Sequence, residues 1–186
     1  MIVTHLQPGL VTVRDRPERP AGLHVSQIIK SLCQHLDPVT YGQPMDMVKV
    51  DMGLKFEEVL ETAFASGASS TFRPDPILVP PGIWCSPDGV DPEISPWAVE
   101  EFKLTWYSAS KDCPQHPVYW PWLVQIKAYC HALETRYAKL WVLHINGDYK
   151  PPRPWPPKVM GLEFSAMEIA ENWSMLVTHA QQRGWL

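Results

Sequence analysis

The chain reads as an α/β domain, a mixed central sheet flanked by helices on both faces. Helical and strand patterns alternate in the order helix, helix, strand, strand, helix, strand, helix, an order satisfied by packing helices against a mixed sheet. The segment Val99–Trp106 has the β-branched and aromatic content of a buried strand. Ser165 followed by Glu168 is a capping box that opens a long terminal helix. With 186 residues, 45% of them hydrophobic and 19% charged, the chain is long enough to bury a core and too apolar to stay disordered. One domain over residues 1–186 is expected, with a core at about 25–145 and a terminal helix at about 163–183.

Taken in order, Met1–Gly22 is rich in Pro and Arg, with Leu10–Val13 as a short strand. Val25–Leu36 is a helix that starts near His24 or Ser26 and stops at Asp37-Pro38. Thr40–Asp51 is irregular. Gly53–Ala65 is a second helix, stopped by Gly67, whose apolar stripe of Phe56, Leu60, Ala63 and Phe64 includes the acid Glu57. An acid on a buried stripe is unusual, which makes Glu57 a functional candidate; an acid favoured by the helix dipole is the plainer alternative. Ser69–Gly82 reads as a proline-rich loop. Ile83–Ser86 and Val99–Trp106 read as two strands of an antiparallel hairpin, bringing Asp88 near Glu101. Pro121 opens a helix over Trp122–Thr135 whose inner face carries Gln125 and Tyr129 one turn apart. Lys139–Ile145 is a strand before an Asn146-Gly147 turn, and Glu163–Arg183 is the last helix.

Charge is unevenly distributed. The net charge is −4, yet residues 103–158 hold eight Lys and Arg against three acids. A basic half downstream of acidic residues suits a phosphate-backbone ligand, with DNA as the expected partner. The plainer alternative is a solvated surface. No run approaches 18 apolar residues, so no membrane partner is expected, and Met1–Arg19 lacks the basic-then-apolar order of a signal peptide. A cytoplasmic location, in a bacterium or a phage-infected host cell, is the expectation. Cys33, Cys85, Cys113 and Cys130 are scattered without zinc spacing and read as buried free thiols.

The polar residues that carry chemistry are Asp88, in Pro87-Asp88-Gly89, then Glu101-Phe102-Lys103. Residues two apart on a strand share a face, at about 3.3 Å rise each, so Glu101 and Lys103 project together and Glu100 and Phe102 point away. A carboxylate beside an ammonium, near a second carboxylate, suits a divalent cation, a phosphate and an attacking water. Pro74-Asp75 is a second Pro-Asp pair, but it lacks a preceding strand and lies farther from Glu101. Asp91 reads as a turn residue, Glu100 as solvated or salt-bridged, and His131 as a surface residue.

An acid-bearing helix, Pro87-Asp88, Glu101-x-Lys103 and Gln125-x-x-x-Tyr129, in that order and each on the right kind of element, resembles the PD-(D/E)XK nuclease superfamily. The Gln/Tyr helix is similar to the extra motif of its RecB-like branch, the group of lambda-type exonucleases and YqaJ-type recombination nucleases. The resemblance covers about Val25 to Tyr129. It implies a restriction-endonuclease-like α/β/α core and divalent-metal-dependent hydrolysis of DNA that leaves a 5′-phosphate. Asp88, Glu101 and the Phe102 carbonyl would bind Mg²⁺ or Mn²⁺, hard cations that take oxygen ligands. Glu57 would hold a second ion or a water. Lys103 would orient the attacking water and offset transition-state charge. Gln125 and Tyr129 would position the DNA backbone, or the lysine and metal ligands.

Relatives that carry an iron–sulfur cluster have cysteines clustered after the Gln/Tyr helix. Here no cysteine follows Cys130, so no such cluster is expected. The expected activity is a phage-type exonuclease acting on double-stranded ends in recombination. A single-strand annealing protein and a ring-shaped homo-oligomer are the partners the resemblance implies. A structure-selective endonuclease on the same fold, or a non-cleaving DNA-binding protein, are the alternatives. Trp106, Trp120 and Trp122 could stack on frayed bases, or simply pack in the core.

Overall fold

The structure, a computed structural model, describes residues 1–6, 19–43, 51–53, 55, 71–94, 97–107, 114–144 and 158–186. It is an α/β arrangement built on a mixed five-stranded sheet. The strands are β1 (Ile2–Leu6), β5 (Gly89–Asp91), β6 (Ala98–Thr105), β7 (Tyr137–His144) and β8 (Lys158–Glu163), in the spatial order β1-β8-β7-β6-β5. Within this sheet β6 and β7 run parallel and the other neighbours are antiparallel. A smaller three-stranded sheet holds β2 (Leu23–His24), β4 (Ile83–Cys85) and β3 (Ile77–Val79) in that order.

The helices are α1 (Val25–Leu36), the one-turn α2 (Pro38–Tyr41), α3 (Trp120–Ala132) and α4 (Ala166–Gln182). In α1 the apolar residues Val25, Ile28, Ile29, Leu32 and Cys33 follow helical spacing and are buried. Its first turn is closed by the Gln27 side chain, which accepts from the His24 amide at 2.9 Å. In α4 the Ser165–Glu168 capping box forms as the sequence predicts, and Ile169, Trp173, Leu176 and Ala180 make the buried stripe. Helix α3 is apolar nearly all round, because it lies against α1, α4 and the sheet at once.

That packing gives the sheet two faces. Val99, Ala138, Leu140, Val142, Met160 and Leu162 join the helices in the main core. The opposite face carries Asp91, Glu100, Phe102 and Trp141, also buried, with the Phe102 and Trp141 rings 5.8 Å apart. Among the described residues no helix is long and apolar enough to cross a membrane.

Several boundaries differ from the sequence reading. Ile83–Cys85 is not the hairpin partner of β6; it belongs to the small sheet, and the three-residue β5 takes its place. Proline-rich flanks hid β3 and β8, and β1 sits where an Arg/Pro-rich segment was expected. The terminal helix starts at Ala166, because Lys158–Glu163 is committed to a ladder with both β1 and β7. The expected strand Leu10–Val13, most of the helix Gly53–Ala65 with Glu57, and Cys113 lie outside the described residues. Cys33, Cys85 and Cys130 are buried thiols, and burial raises all three, Cys85 and Cys130 to about 12.

Candidate active site

The sheet register brings Asp88 and Glu101 together. Gly89 pairs with Glu100 and Val90 with Val99, so continuing the antiparallel register by one residue sets Asp88 opposite Glu101, on the same face. The ladder of β5 stops at Gly89, and the Asp88 carboxylate replaces the next strand carbonyl: its Oδ2 accepts from the Phe102 amide at 3.0 Å. On a strand edge the amide and carbonyl of one residue face the same neighbour. The Phe102 carbonyl therefore opens on the side of Asp88. Arg73 braces the same corner by donating from Nε to the Asp88 carbonyl at 3.0 Å.

Glu101 and Lys103 project together as their spacing requires, and their side chains form an ion pair. Glu101 is 1% exposed, and a buried carboxylate without a cation costs several kcal/mol (~3–5). Lys103 offsets that cost. Its ammonium also donates to Gln125 Oε1 at 3.0 Å, and Gln125 Nε2 donates to the Tyr129 hydroxyl at 2.9 Å. An ammonium only donates, so it fixes the Gln125 amide with its oxygen towards Lys103 and its nitrogen towards Tyr129. Burial, followed by the charges of Glu101 and Asp88, holds the Tyr129 phenol well above its ordinary range. The phenol stays neutral.

Asp88, Glu101, Lys103, Gln125 and Tyr129 line one cleft. Asp75 is exposed. Glu57 lies outside the described residues. The cleft has further walls that sequence reasoning did not assign: Arg19, Ser26, Arg73 and Trp84. Arg19 donates to Ser26 Oγ at 2.8 Å, and the Trp84 indole donates to the Ala21 carbonyl at 3.1 Å. Arg73 follows Phe72, whose backbone bridges to Val90 beside β5. That long-range pairing leaves no local signal in a proline-rich run.

Two other residues correct the sequence reading. Asp91 is a strand residue, 6% exposed and ion-paired with Lys139, not a turn residue on the surface. Glu100 points away from Glu101 and is salt-bridged, as expected, with Lys139 Nζ 3.5 Å from its Oε1, but it is fully buried and not solvated. His131 stacks on Trp173 with ring centroids 4.5 Å apart, outside the cleft. Trp122 packs on the buried Tyr119 at 4.8 Å between centroids.

The donor set suits a hard divalent cation: two carboxylates and one backbone carbonyl, all oxygen. Among the described residues no cluster of three or more His, Cys, Asp or Glu side chains could hold a metal. A magnesium-type site, which keeps several waters, needs only one or two protein carboxylates. Asp88 and Glu101 supply that number.

No family model matches the chain, and no curated protein matches it. Among solved structures it is similar to one described as the crystal structure of SSO0001, at 12% identity and a TM-score of 0.45, over 88% of this chain and 78% of that one. A likeness at that level carries no information about function.

Proposed function

We propose that the protein is a divalent-metal-dependent deoxyribonuclease, and that Asp88, Glu101 and Lys103 form its hydrolytic centre. The observation that carries the reading is the chain of contacts Glu101–Lys103–Gln125–Tyr129 facing Asp88 in one cleft. A structural ion pair does not need a second carboxylate opposite it, nor a glutamine and a tyrosine to orient its lysine. Arg19 and Arg73 line the same cleft, so a phosphodiester entering it meets guanidinium groups suited to its oxygens.

Asp88, Glu101 and the Phe102 carbonyl would hold Mg²⁺ or Mn²⁺. The ion would supply Lewis-acid polarisation of the phosphoryl oxygen and activation of a water nucleophile. The chain's own contribution is placement. Lys103, steered by Gln125, sets a positive charge where negative charge builds up on phosphorus. Tyr129, kept neutral, fixes Gln125. Glu57 would add a further acid. The motif order favours an exonuclease working on duplex ends, with a single-strand annealing protein and a homo-oligomeric ring as the matching partners.

Digestion of 5′- and 3′-labelled linear duplexes and of a closed circle, with Mg²⁺ and with chelator, tests this. Metal-dependent shortening of the linear duplexes is expected. Cutting of the closed circle would replace the exonuclease reading with the endonuclease one. No cleavage of any DNA under any divalent ion would overturn the nuclease reading itself.

A further inference from the structure

Strand β5 is three residues long, lies at the edge of the five-stranded sheet and meets β6 at only three positions. It nonetheless has to place Asp88 to within a hydrogen bond of Phe102. A slip by one residue would turn Asp88 to the other face, away from Glu101. The face opposite the cleft shows what opposes such a slip. Asp91 on β5 and Glu100 on β6 lie there, 6% and 0% exposed. Lys139 on β7 is the ladder partner of Glu100. Its ammonium stands 3.5 Å from Glu100 Oε1 and reaches across β6 to pair with Asp91. One lysine thus ties three strands.

We infer that Lys139 is a positioning residue: acting through Asp91 from behind the sheet, it sets the register of β5 and so the place of Asp88 in the cleft. Asp91 can reach the ammonium only when its side chain is on the rear face, and that register alone puts Asp88 on the front. Other contacts hold β5 along its outer edge, namely the Phe72–Val90 bridge and the Arg73 bond to the Asp88 carbonyl. Neither depends on which face the side chains of β5 present. The Lys139–Asp91 pair, by contrast, does depend on the face. The activity arm of this inference rests on the nuclease reading above; the structural arm does not.

Two variants test it. Asp91→Asn breaks the β5 arm while leaving Lys139 paired with Glu100 and an acceptor for the Glu93 amide, which Asp91 Oδ1 receives at 2.9 Å. The triple variant Lys139→Met, Asp91→Asn, Glu100→Gln removes every charge of the cluster, so no buried ion is left without a partner. Amide exchange by NMR is the first readout. The Phe102 amide, bonded to Asp88, should exchange at least tenfold faster in both variants, while the Leu140 and Met160 amides of β7 and β8 keep wild-type protection. In the nuclease assay kcat should fall tenfold or more with KM for DNA unchanged, and Lys139→Arg should retain most of kcat. Unchanged Phe102 protection in Asp91→Asn would overturn the inference, whatever the triple variant does. If the wild-type protein cleaves no DNA, the nuclease reading fails and Phe102 exchange alone decides the role of Lys139.

Discussion

The Lys103 ammonium donates to Gln125 Oε1 at 3.0 Å, across the gap between β6 and α3. The same amide is anchored from behind by Tyr129 at 2.9 Å. The lysine is therefore aimed by two partners, Glu101 on its own strand and Gln125 on the helix. Replacing Gln125 by Leu keeps the volume and removes one of the two. A hydrogen bond to a charged group is worth about 1.5–3 kcal/mol, so kcat in Gln125→Leu should fall about ten- to a hundredfold. KM and melting temperature should stay near wild type. Single-turnover digestion of an end-labelled duplex measures this, and wild-type kcat in the variant would show that Gln125 does not steer Lys103.

Glu101 and Lys103 should separate under mutation even though they form one ion pair. Glu101→Gln removes a carboxylate from the proposed metal site, so Mn²⁺ affinity measured by calorimetry should drop together with cleavage. Lys103→Ala should abolish cleavage while Mn²⁺ still binds. Duplex DNA binding, followed by fluorescence anisotropy in Ca²⁺, should persist in Lys103→Ala. Equal loss of Mn²⁺ binding in both variants would mean that the pair is structural.

The grouping of the candidate-site residues was more legible in the sequence than the strand pairing around them, and the reason is range. Glu101 and Lys103 two apart on a strand, and Gln125 and Tyr129 four apart on a helix, are set by local periodicity. That periodicity put them on shared faces before any packing was known. The hairpin partner of β6 is a tertiary choice between Ile83–Cys85 and Gly89–Asp91, and the chain chose the segment nearer in sequence. Asp91 and Lys139 are 48 residues apart and meet only because β5 and β7 flank β6. No periodicity could announce that pair, and Asp91 looked like one more polar residue of a turn. Arg73 was hidden in the same way, just before Pro74, until its neighbour Phe72 paired with Val90.

Gly89 offers a check on that rear face. A Cβ at this position would stand 3.2 Å from Thr71 Cγ2 and 3.4 Å from Glu100 Cβ, all in the buried layer. Overpacking of this kind costs about 1–3 kcal/mol. Gly89→Ala should therefore lower the urea midpoint clearly, and cleavage should suffer with it because Asp88 is the next residue. At Gly53 nothing among the described residues lies within 4 Å of such a Cβ. Gly53→Ala should be tolerated, and a comparable loss there would undercut the packing argument.

His144 gives the protein a dependence on pH that is separate from its chemistry. It closes β7 at 5% exposure, with Nδ1 held to the Tyr107 carbonyl at 2.9 Å. Among the described residues its buried Nε2 has no hydrogen-bond partner. In the neutral ring Nδ1 carries the proton and donates it to that carbonyl. Protonation would put a second N–H where no described residue accepts it. Burial is the leading cause that pulls its pKa below the ordinary histidine value; the Tyr107 bond opposes this and the Lys158 charge adds to it. The unfolded chain then binds a proton more readily than the folded one. Stability is present above the unfolded-state value of about 6.5 and is lost as pH falls through the lower folded value. Thermal melts from pH 8 down to pH 5 should show a falling melting temperature. His144→Asn can keep a donor to Tyr107 but does not titrate, so its slope over that range should be shallower. An unchanged slope would place the acid sensitivity at His131 or His179, whose pKa values are also lowered by burial.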